Sequence, residues 1–137
     1  MVDAEQVREF IRRNHHAVLS TIRRDGRPQL SPVSAVIDAE GRVVISSRDG
    51  AIKVRNARRD PRVSMVALND RFFGEWYQVE GQAEIVEQPE ALELLEDYYR
   101  RAAGEHPDWA EYREAMIRDR RVVLRFPIDR AGPNVEG

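Results

Sequence analysis

The succession of short strand-length segments and tight turns constrains this chain more than any other feature. Ala17, Leu19 and Thr21 share one face of segment 16–22, which the alternation predicts to be a strand. Asp25-Gly26 is a strong hairpin signal, and residues 28–37 form the returning strand. A parallel doubly wound sheet would need regular alternation of strand and helix, which is absent. The order therefore predicts a mainly β, α+β fold built as an antiparallel barrel.

Six strands and four helices are predicted along the chain. The strands span residues 16–22, 28–37, 42–47, 63–68, 76–87 and 121–127, and the helices span 3–14, 51–59, the stretch between Pro89 and Gly104, and 109–117. Pro28 and Pro32 suggest that the second strand is irregular or lies at an edge. Gly81 marks a bulge or a close backbone approach, and the tail after Asp129 is expected to be loose.

Composition limits the class of protein. A chain of 137 residues without an apolar run of ~20 residues or a signal pattern is expected to be one domain, 1–137, that is cytoplasmic and not in a membrane. The absence of cysteine excludes disulfides and a thiol nucleophile. A net charge of −2 does not suggest nucleic-acid binding. His15-His16 and Glu105-His106 lack a second ligand set, so no metal is expected.

Lys53 is the single lysine among 22 lysines and arginines. One interpretation is codon usage in an Arg-rich genome, which leaves few lysines by chance. The other is that this position needs a compact ammonium, which a planar guanidinium does not reproduce. The neighbours of Lys53 bear on the choice.

The segment around Lys53 has the features of an anion site. A predicted strand ends in Ser46 and Ser47, a glycine-containing turn follows, and a helix begins near Ala51 with free backbone N–H groups in its first turn. Lys53 and Asn56 are three residues apart and share one face of this helix. Together these groups suit a phosphate monoester. An ordinary capped surface helix is the competing interpretation.

Two further segments carry candidate binding residues. Arg27, Pro28 and Gln29 follow the hairpin turn, where backbone and the Gln29 amide could line the edge of a ring system; plain hairpin chemistry is the alternative. Trp76 and Tyr77 point to opposite faces of their strand. One of the two should belong to the core and the other could stack on a coenzyme, and spacing does not say which.

The order of motifs resembles the pyridoxamine-phosphate-oxidase-like split-barrel superfamily, and within it the actinobacterial subgroup of oxidoreductases dependent on the deazaflavin coenzyme F420. The resemblance rests on AVLSTIRRDGRPQLSPV, KVRNARRDPRVSM, VEGQAEIV and AGEHPDWAEYREAMIRDRRVVLRFPI. It implies a six-stranded split barrel of the FMN-binding type that forms a homodimer, with two coenzyme sites at the subunit interface.

The resemblance also implies roles for the candidate residues. The coenzyme phosphate would lie at Lys53 and Asn56, with the two serines in the same groove. The ring would be flanked by residues 27–29 and would lie near Trp76. Related members can carry arginine where this chain has Ala51, which removes one possible phosphate contact.

The implied activity is hydride transfer from reduced F420 to a small organic molecule. No residue has a compelling claim to be the catalytic acid or base, so the catalytic residues stay unassigned and a proton could come from water. Two alternatives remain open: an FMN-binding protein of the same fold, and an F420 carrier without a substrate of its own.

Overall fold

The computed structural model describes residues 2–132. Its helices are α1 (Ala4–Arg13), α2 (Ile52–Arg59), α3 (Ala91–Ala103) and α4 (Trp109–Arg118). Its strands are β1 (His16–Ile22), β2 (Pro28–Ile37), β3 (Val43–Arg48), β4 (Arg62–Leu68), β5 (Trp76–Gln82), β6 (Glu84–Val86), β7 (Arg121–Phe126) and β8 (Arg130–Gly132). All strands pair antiparallel in one sheet, in the order β6-β7-β3-β2-β1-β4-β5-β8. No helix within this range is long and apolar enough to cross a membrane.

Residues 2–132 contain eight strands where six were predicted. The predicted strand 76–87 divides at Ala83, whose N–H donates to the Pro61 carbonyl at 2.7 Å; β5 pairs with β4, whereas β6 pairs with β7. A Cβ on Gly81 would lie 2.3 Å from the Pro127 carbonyl oxygen, so the expected close backbone approach is confirmed. Residues 130–132 pair with β5 instead of being loose, and residues 133–137 lie outside the described range.

Local turn and cap signals are confirmed. The Gln6 N–H donates to Asp3 Oδ1 at 2.7 Å and caps α1 at its start. Gly26 adopts φ +86° in the β1–β2 turn, a left-handed conformation that glycine tolerates without strain. Tyr77 lies in the core with its ring 5.0 Å from that of Phe10, whereas Trp76 is 44% exposed.

The sheet curls around a first core and carries a second core on part of its outer surface. The first core includes Phe10, Leu19, Ile45 and Phe126 and fills the space inside the curl. The second core lies between β3, β7 and the helices α3 and α4, and it includes Leu95. The apolar faces of both helices are buried there.

The sheet separates at β2, where the two parts of the barrel diverge. Residues 28–34 of β2 pair only with β1, whereas Ala35–Ile37 pair with β3. Pro28 and Pro32 therefore lie where the strand has one neighbour, as expected for proline, although β2 as a whole is interior to the sheet. The helix α2 packs across this opening against β1, β2 and β6.

Candidate functional site

The two serines at the end of β3 lie on opposite faces of the sheet. Ser46 follows the orientation of Val44, toward the second core, and is half-buried. Ser47 lies on the same face of β3 as Ile45, which points toward the inside of the barrel, and its side chain is 2% exposed. Strand alternation therefore makes Ser46 the more accessible hydroxyl to a ligand on the outer side.

The first turn of α2 is open to an anion. Ala51 caps the helix in extended conformation without a side-chain hydrogen bond, and the first turn contains no acidic residue. Free N–H groups at a helix start carry partial positive charge. Lys53 is half-buried in this turn, and burial lowers its pKa; the nearby positive charge of Arg121 lowers it further.

Lys53 and Arg121, hereafter the cation pair, form no ion pair with any residue in the range 2–132. Arg121 begins β7 and pairs with Arg48 across the ladder, so further positive charge lies nearby. Its Nε atom is buried and has no hydrogen-bond partner within residues 2–132. Buried polar groups are nearly always hydrogen-bonded, and neighbouring like charges repel. An anion between the two side chains would satisfy both groups.

A chain of hydrogen bonds joins two of the predicted site residues through Thr21. Asn56 Nδ2 donates to Thr21 Oγ1 at 3.1 Å, and the Thr21 hydroxyl donates to Gln29 Oε1 at 3.2 Å. Gln29 Nε2 donates to Ser31 Oγ at 2.9 Å, and Arg59 donates to Asn56 Oδ1 at 3.0 Å. Asn56 is 5% exposed, and its bond to Thr21 fastens α2 to β1.

A groove of about 580 Å³, hereafter the arginine groove, runs along the outer side of α2. Its lining is Arg24, Ile52, Arg55, Asn56, Arg58 and Arg59. Arg58 is neutralised by Asp49 at 2.5 Å and Glu87 at 2.6 Å. Within the described residues, Arg24 and Arg55 form no ion pair. The groove therefore carries net positive charge beside the helix that holds Lys53.

The outer surface of β1, β4, β5 and the first half of β2, hereafter the open face, is not covered by a helix of the described chain. Ser20 and Ser64 lie opposite each other near its middle, beside Val18 and Val66. They line a shallow, mostly apolar depression of about 230 Å³. Leu30 projects from this face at 63% exposure.

Trp76 and Pro28 lie at diagonally opposite corners of the open face. Pro28 pairs with Ile22 at one end of β1, whereas Trp76 pairs with Leu68, which is level with His16 at the other end. Six residues along a strand and three strand spacings separate the two corners, about 20 Å by about 14 Å. Within one chain, Trp76 therefore does not meet residues 27–29, of which Arg27 and Pro28 are exposed at the hairpin.

Sequence reasoning did not assign Thr21 to the site, and it noted the arginine pairs 23-24, 58-59 and 120-121 only as mostly solvated residues of which some could attract an anionic tail. Thr21 could have been found because its hydroxyl occupies an inward position of β1, and a polar group there needs a partner. The electrostatic influence of Arg121 on Lys53 has no comparable signal, since the two residues are 68 positions apart in the chain and Arg121 reaches this region through the β3–β7 pairing.

The curled antiparallel sheet, opened at β2 and crossed by α2, defines the split-barrel class. Residues 4–132 match the family described as pyridoxamine 5'-phosphate oxidase, and the chain belongs to that family. The class of fold and the resemblance of the sequence thus agree. Members of this family bind flavin-type coenzymes.

Solved structures of similar shape span several functions. A conserved hypothetical protein from Mycobacterium tuberculosis is 30% identical, with TM-score 0.76 over 96% of this chain and 82% of that one. An F420 reductase is 22% identical, with TM-score 0.69 over 90% and 94%. HutZ, the heme storage protein from Vibrio cholerae, is 17% identical, with TM-score 0.68 over 93% and 92%. The last two likenesses show the fold alone, and one fold serves different functions.

Proposed function

We propose that this protein is a homodimeric oxidoreductase that uses coenzyme F420 to transfer hydride to a small organic acceptor. Its membership of the actinobacterial F420-dependent subgroup stays a prediction. The proposal rests on the residues of the candidate site, because the fold by itself is shared with proteins of other functions.

The cation pair is the observation that carries the proposal. The positive charge of Arg121 lies near enough to Lys53 to lower its pKa, neither side chain forms an ion pair among the described residues, and Arg121 Nε is buried without a hydrogen-bond partner there. A phosphate held between them would accept charge-assisted hydrogen bonds from both side chains. Ser46 and the first-turn N–H groups of α2 would bind its remaining oxygens, and Asn56 would hold the helix in place through Thr21.

The arginine groove favours F420 over FMN. F420 bears carboxylates beyond its phosphate, whereas FMN ends at its phosphate. Arg24 and Arg55 line a groove of about 580 Å³ on the same helix side as Asn56 and are free to pair with such carboxylates. In FMN binding, these arginines would stay without a partner.

The open face supports the homodimer. The small side chains of Ser20 and Ser64 allow close approach at its middle, and Leu30 projects from the face while an apolar depression lies beside it. A two-fold axis that lies in the plane of the face, perpendicular to the line joining Trp76 and Pro28 at its midpoint, exchanges these two corners. The strands of the two sheets would then cross at near right angles, a common packing of sheets. The partner subunit's Trp76 would lie beside Pro28 and complete the ring site.

Bound reduced F420 supplies a hydride at its ring carbon, and the protein's part is to bind, orient and shield it. The cation pair anchors one end of the coenzyme, while residues 27–29 and the partner subunit's Trp76 border the ring. No catalytic acid is assigned among the described residues, and water could supply the acceptor's proton. If the protein has no acceptor substrate, the same residues would bind F420 without hydride transfer, and the protein would be a coenzyme carrier.

Replacing Lys53 tests the anion site. Lys53→Ala is expected to weaken F420 binding by roughly 1.5–3 kcal/mol, about ten- to a hundredfold, because a charge-assisted hydrogen bond is lost. Arg121→Gln should weaken it comparably. Arg13→Ala, on the exposed side of α1, is the matched control for loss of one positive charge. Fluorescence titration gives the affinities, and an unchanged affinity of Lys53→Ala would remove the anion site.

The choice of coenzyme is tested with purified protein. We expect colourless protein from a host that makes no F420, and a shift of F420 fluorescence on titration. Yellow protein with one FMN per chain would establish the FMN alternative. Binding of F420 without reduction of any of a broad panel of enones, quinones and tetrapyrroles would favour the carrier.

A further inference from the structure

Two phenylalanines project from the turn between β4 and β5. Phe72 is 83% exposed and Phe73 is 96% exposed, and their rings contact each other edge to face at 4.9 Å. Such a pair of large apolar side chains on a soluble surface marks a contact site. Neither ring packs on either core of the described chain.

The turn that carries these rings has a defined shape. Asn69 Oδ1 accepts the Arg71 N–H at 2.9 Å, and the Gly74 N–H donates to the Arg71 carbonyl at 2.8 Å. A Cβ on Gly74 would lie 2.4 Å from Asn69 Oδ1, so a larger residue here would displace the side chain that accepts the Arg71 N–H. The turn, residues 69–74, is hereafter the hairpin tip, and its hydrogen bonds present the two rings to solvent.

The hairpin tip lies far from the anion site of its own chain. His16 Nδ1 is 3.6 Å from Asp70 Oδ1, which fixes the tip at the start of β1. Thr21, which bonds Asn56 of α2, lies five residues further along β1, about 17 Å away. The tip also extends beyond the end of the sheet, away from α2. Its rings cannot contribute to the site of the same chain.

The two-fold axis described above carries the tip to the other subunit. Trp76 follows the tip closely, at the start of β5. When Trp76 lies beside the partner's Pro28, Phe72 and Phe73 therefore extend past the corner of the partner's open face where Pro28 lies. At that corner β2 pairs with β1 on one side only, and beyond its free edge α2 begins with Ile52, which is 61% exposed. An apolar side chain thus lies at the place to which the axis brings the rings.

We propose that the hairpin tip of each subunit docks on a second copy of this chain, between the free edge of β2 and the start of α2. Phe72 and Phe73 there form an aromatic wall of the substrate space over the partner's coenzyme ring. This wall selects apolar, planar acceptors and excludes water from the ring. The inference rests on the proposed function for the coenzyme, whereas the docking itself does not need a coenzyme.

Cross-linking tests the docking, because the chain contains no cysteine. The double variant Phe73→Cys with Ile52→Cys, treated with a short bismaleimide, should give a covalent dimer on a denaturing gel. The matched control combines Phe73→Cys with Ala39→Cys, since Ala39 is exposed in the turn at the far end of β2. The control should stay monomeric on the gel. A covalent dimer absent from the Ile52 variant, or equally strong in the control, would overturn the proposal.

Coenzyme shielding tests the wall. With F420 bound at saturation, Phe72→Ser/Phe73→Ser should raise quenching of the coenzyme fluorescence by acrylamide several-fold, since the neutral quencher would reach the ring. Equal quenching in both proteins would refute the wall. The two proposals fail separately: F420 binding without cross-linking leaves the proposed function intact, whereas cross-linking without F420 binding leaves only the docking.

Discussion

The outer surface of this sheet has two halves of different character. Over β3 and β7, α3 and α4 bury the outward side chains in the second core, where Leu95 is fully inaccessible. Over β1, β4 and β5, outward residues such as Val18 and Leu30 have no such cover within residues 2–132. One half is completed by the chain itself, and the other is available to a partner.

The difference shows how the fold assigns stability and function to separate surfaces. The covered half needs long helices, which the segment between β6 and β7 supplies. The open half keeps small residues, Ser20 and Ser64, which permit close approach of another sheet. The anion site lies at the boundary between the halves, where β2 leaves one for the other.

The largest expected effect is the difference in stability loss between truncating a leucine on the covered half and truncating one on the open half. Leu95→Ala removes a fully buried side chain from the second core and should lower the free energy of unfolding by about 2–5 kcal/mol. Leu30→Ala removes a side chain that is 63% exposed and should change the unfolding of the dissociated chain by less than about 0.5 kcal/mol. Urea unfolding at low protein concentration measures both. Equal losses would mean that the two halves do not differ.

A charge at the middle of the open face should separate the subunits. Ser64→Arg would bury two unpaired guanidinium groups close to the two-fold axis, which should weaken the dimer by about 3 kcal/mol or more, roughly a hundredfold. Light scattering over a dilution series measures the dissociation. Glu111→Arg, exposed on α4, controls for a new surface arginine. A variant that dimerises as well as the control would exclude the open face as the interface.

The smallest effect concerns a tyrosine beneath α3. The Tyr112 hydroxyl donates to the Leu95 carbonyl at 2.7 Å, and burial raises the pKa of Tyr112 to about 12. The unfolded chain, whose tyrosine has a pKa near 10.0, releases this proton first as pH rises. Stability from the neutral hydroxyl is therefore complete below pH 10 and falls between pH 10 and 12, by about 1.4 kcal/mol at pH 11.

Tyr112→Phe isolates this contribution. At pH 7 the variant should be less stable by about 1 kcal/mol, the usual net worth of a buried hydrogen bond. At pH 11 the order should reverse slightly, with the variant more stable by about 0.4 kcal/mol, because the wild-type protein has by then lost about 1.4 kcal/mol. Chemical unfolding of both proteins at the two pH values measures the difference. A constant difference would place the alkaline loss of stability elsewhere.

Much of the secondary structure could be predicted because its causes are local. The Asp3 cap, the Asp25-Gly26 turn and the alternation of β1 depend on neighbouring residues, and the structure confirms each. The division of segment 76–87 could not be predicted. The Ala83 N–H donates to the carbonyl of Pro61, which lies in the connection between α2 and β4. Contacts between distant segments leave little trace in a local pattern.

The candidate site likewise has one part that the sequence predicts and one part that only the structure supplies. The segment 46–56 suggested an anion site from its serines, helix start and single lysine, and these groups do lie near one end of the sheet. Strand alternation, however, directs Ser46 and Ser47 to opposite faces, a consequence that the same sequence already contained. The second cation, Arg121, enters through the pairing of β3 with β7.

The sequence by itself determined the antiparallel class, the turns, the helix starts and the position of the lone ammonium, because each follows from residues within a few positions of one another. Only the tertiary structure decided which charges meet, which half of the sheet is covered, and that Trp76 lies a full diagonal away from Pro28. These outcomes depend on the curl of the sheet, and that curl is set by packing among residues far apart in the chain.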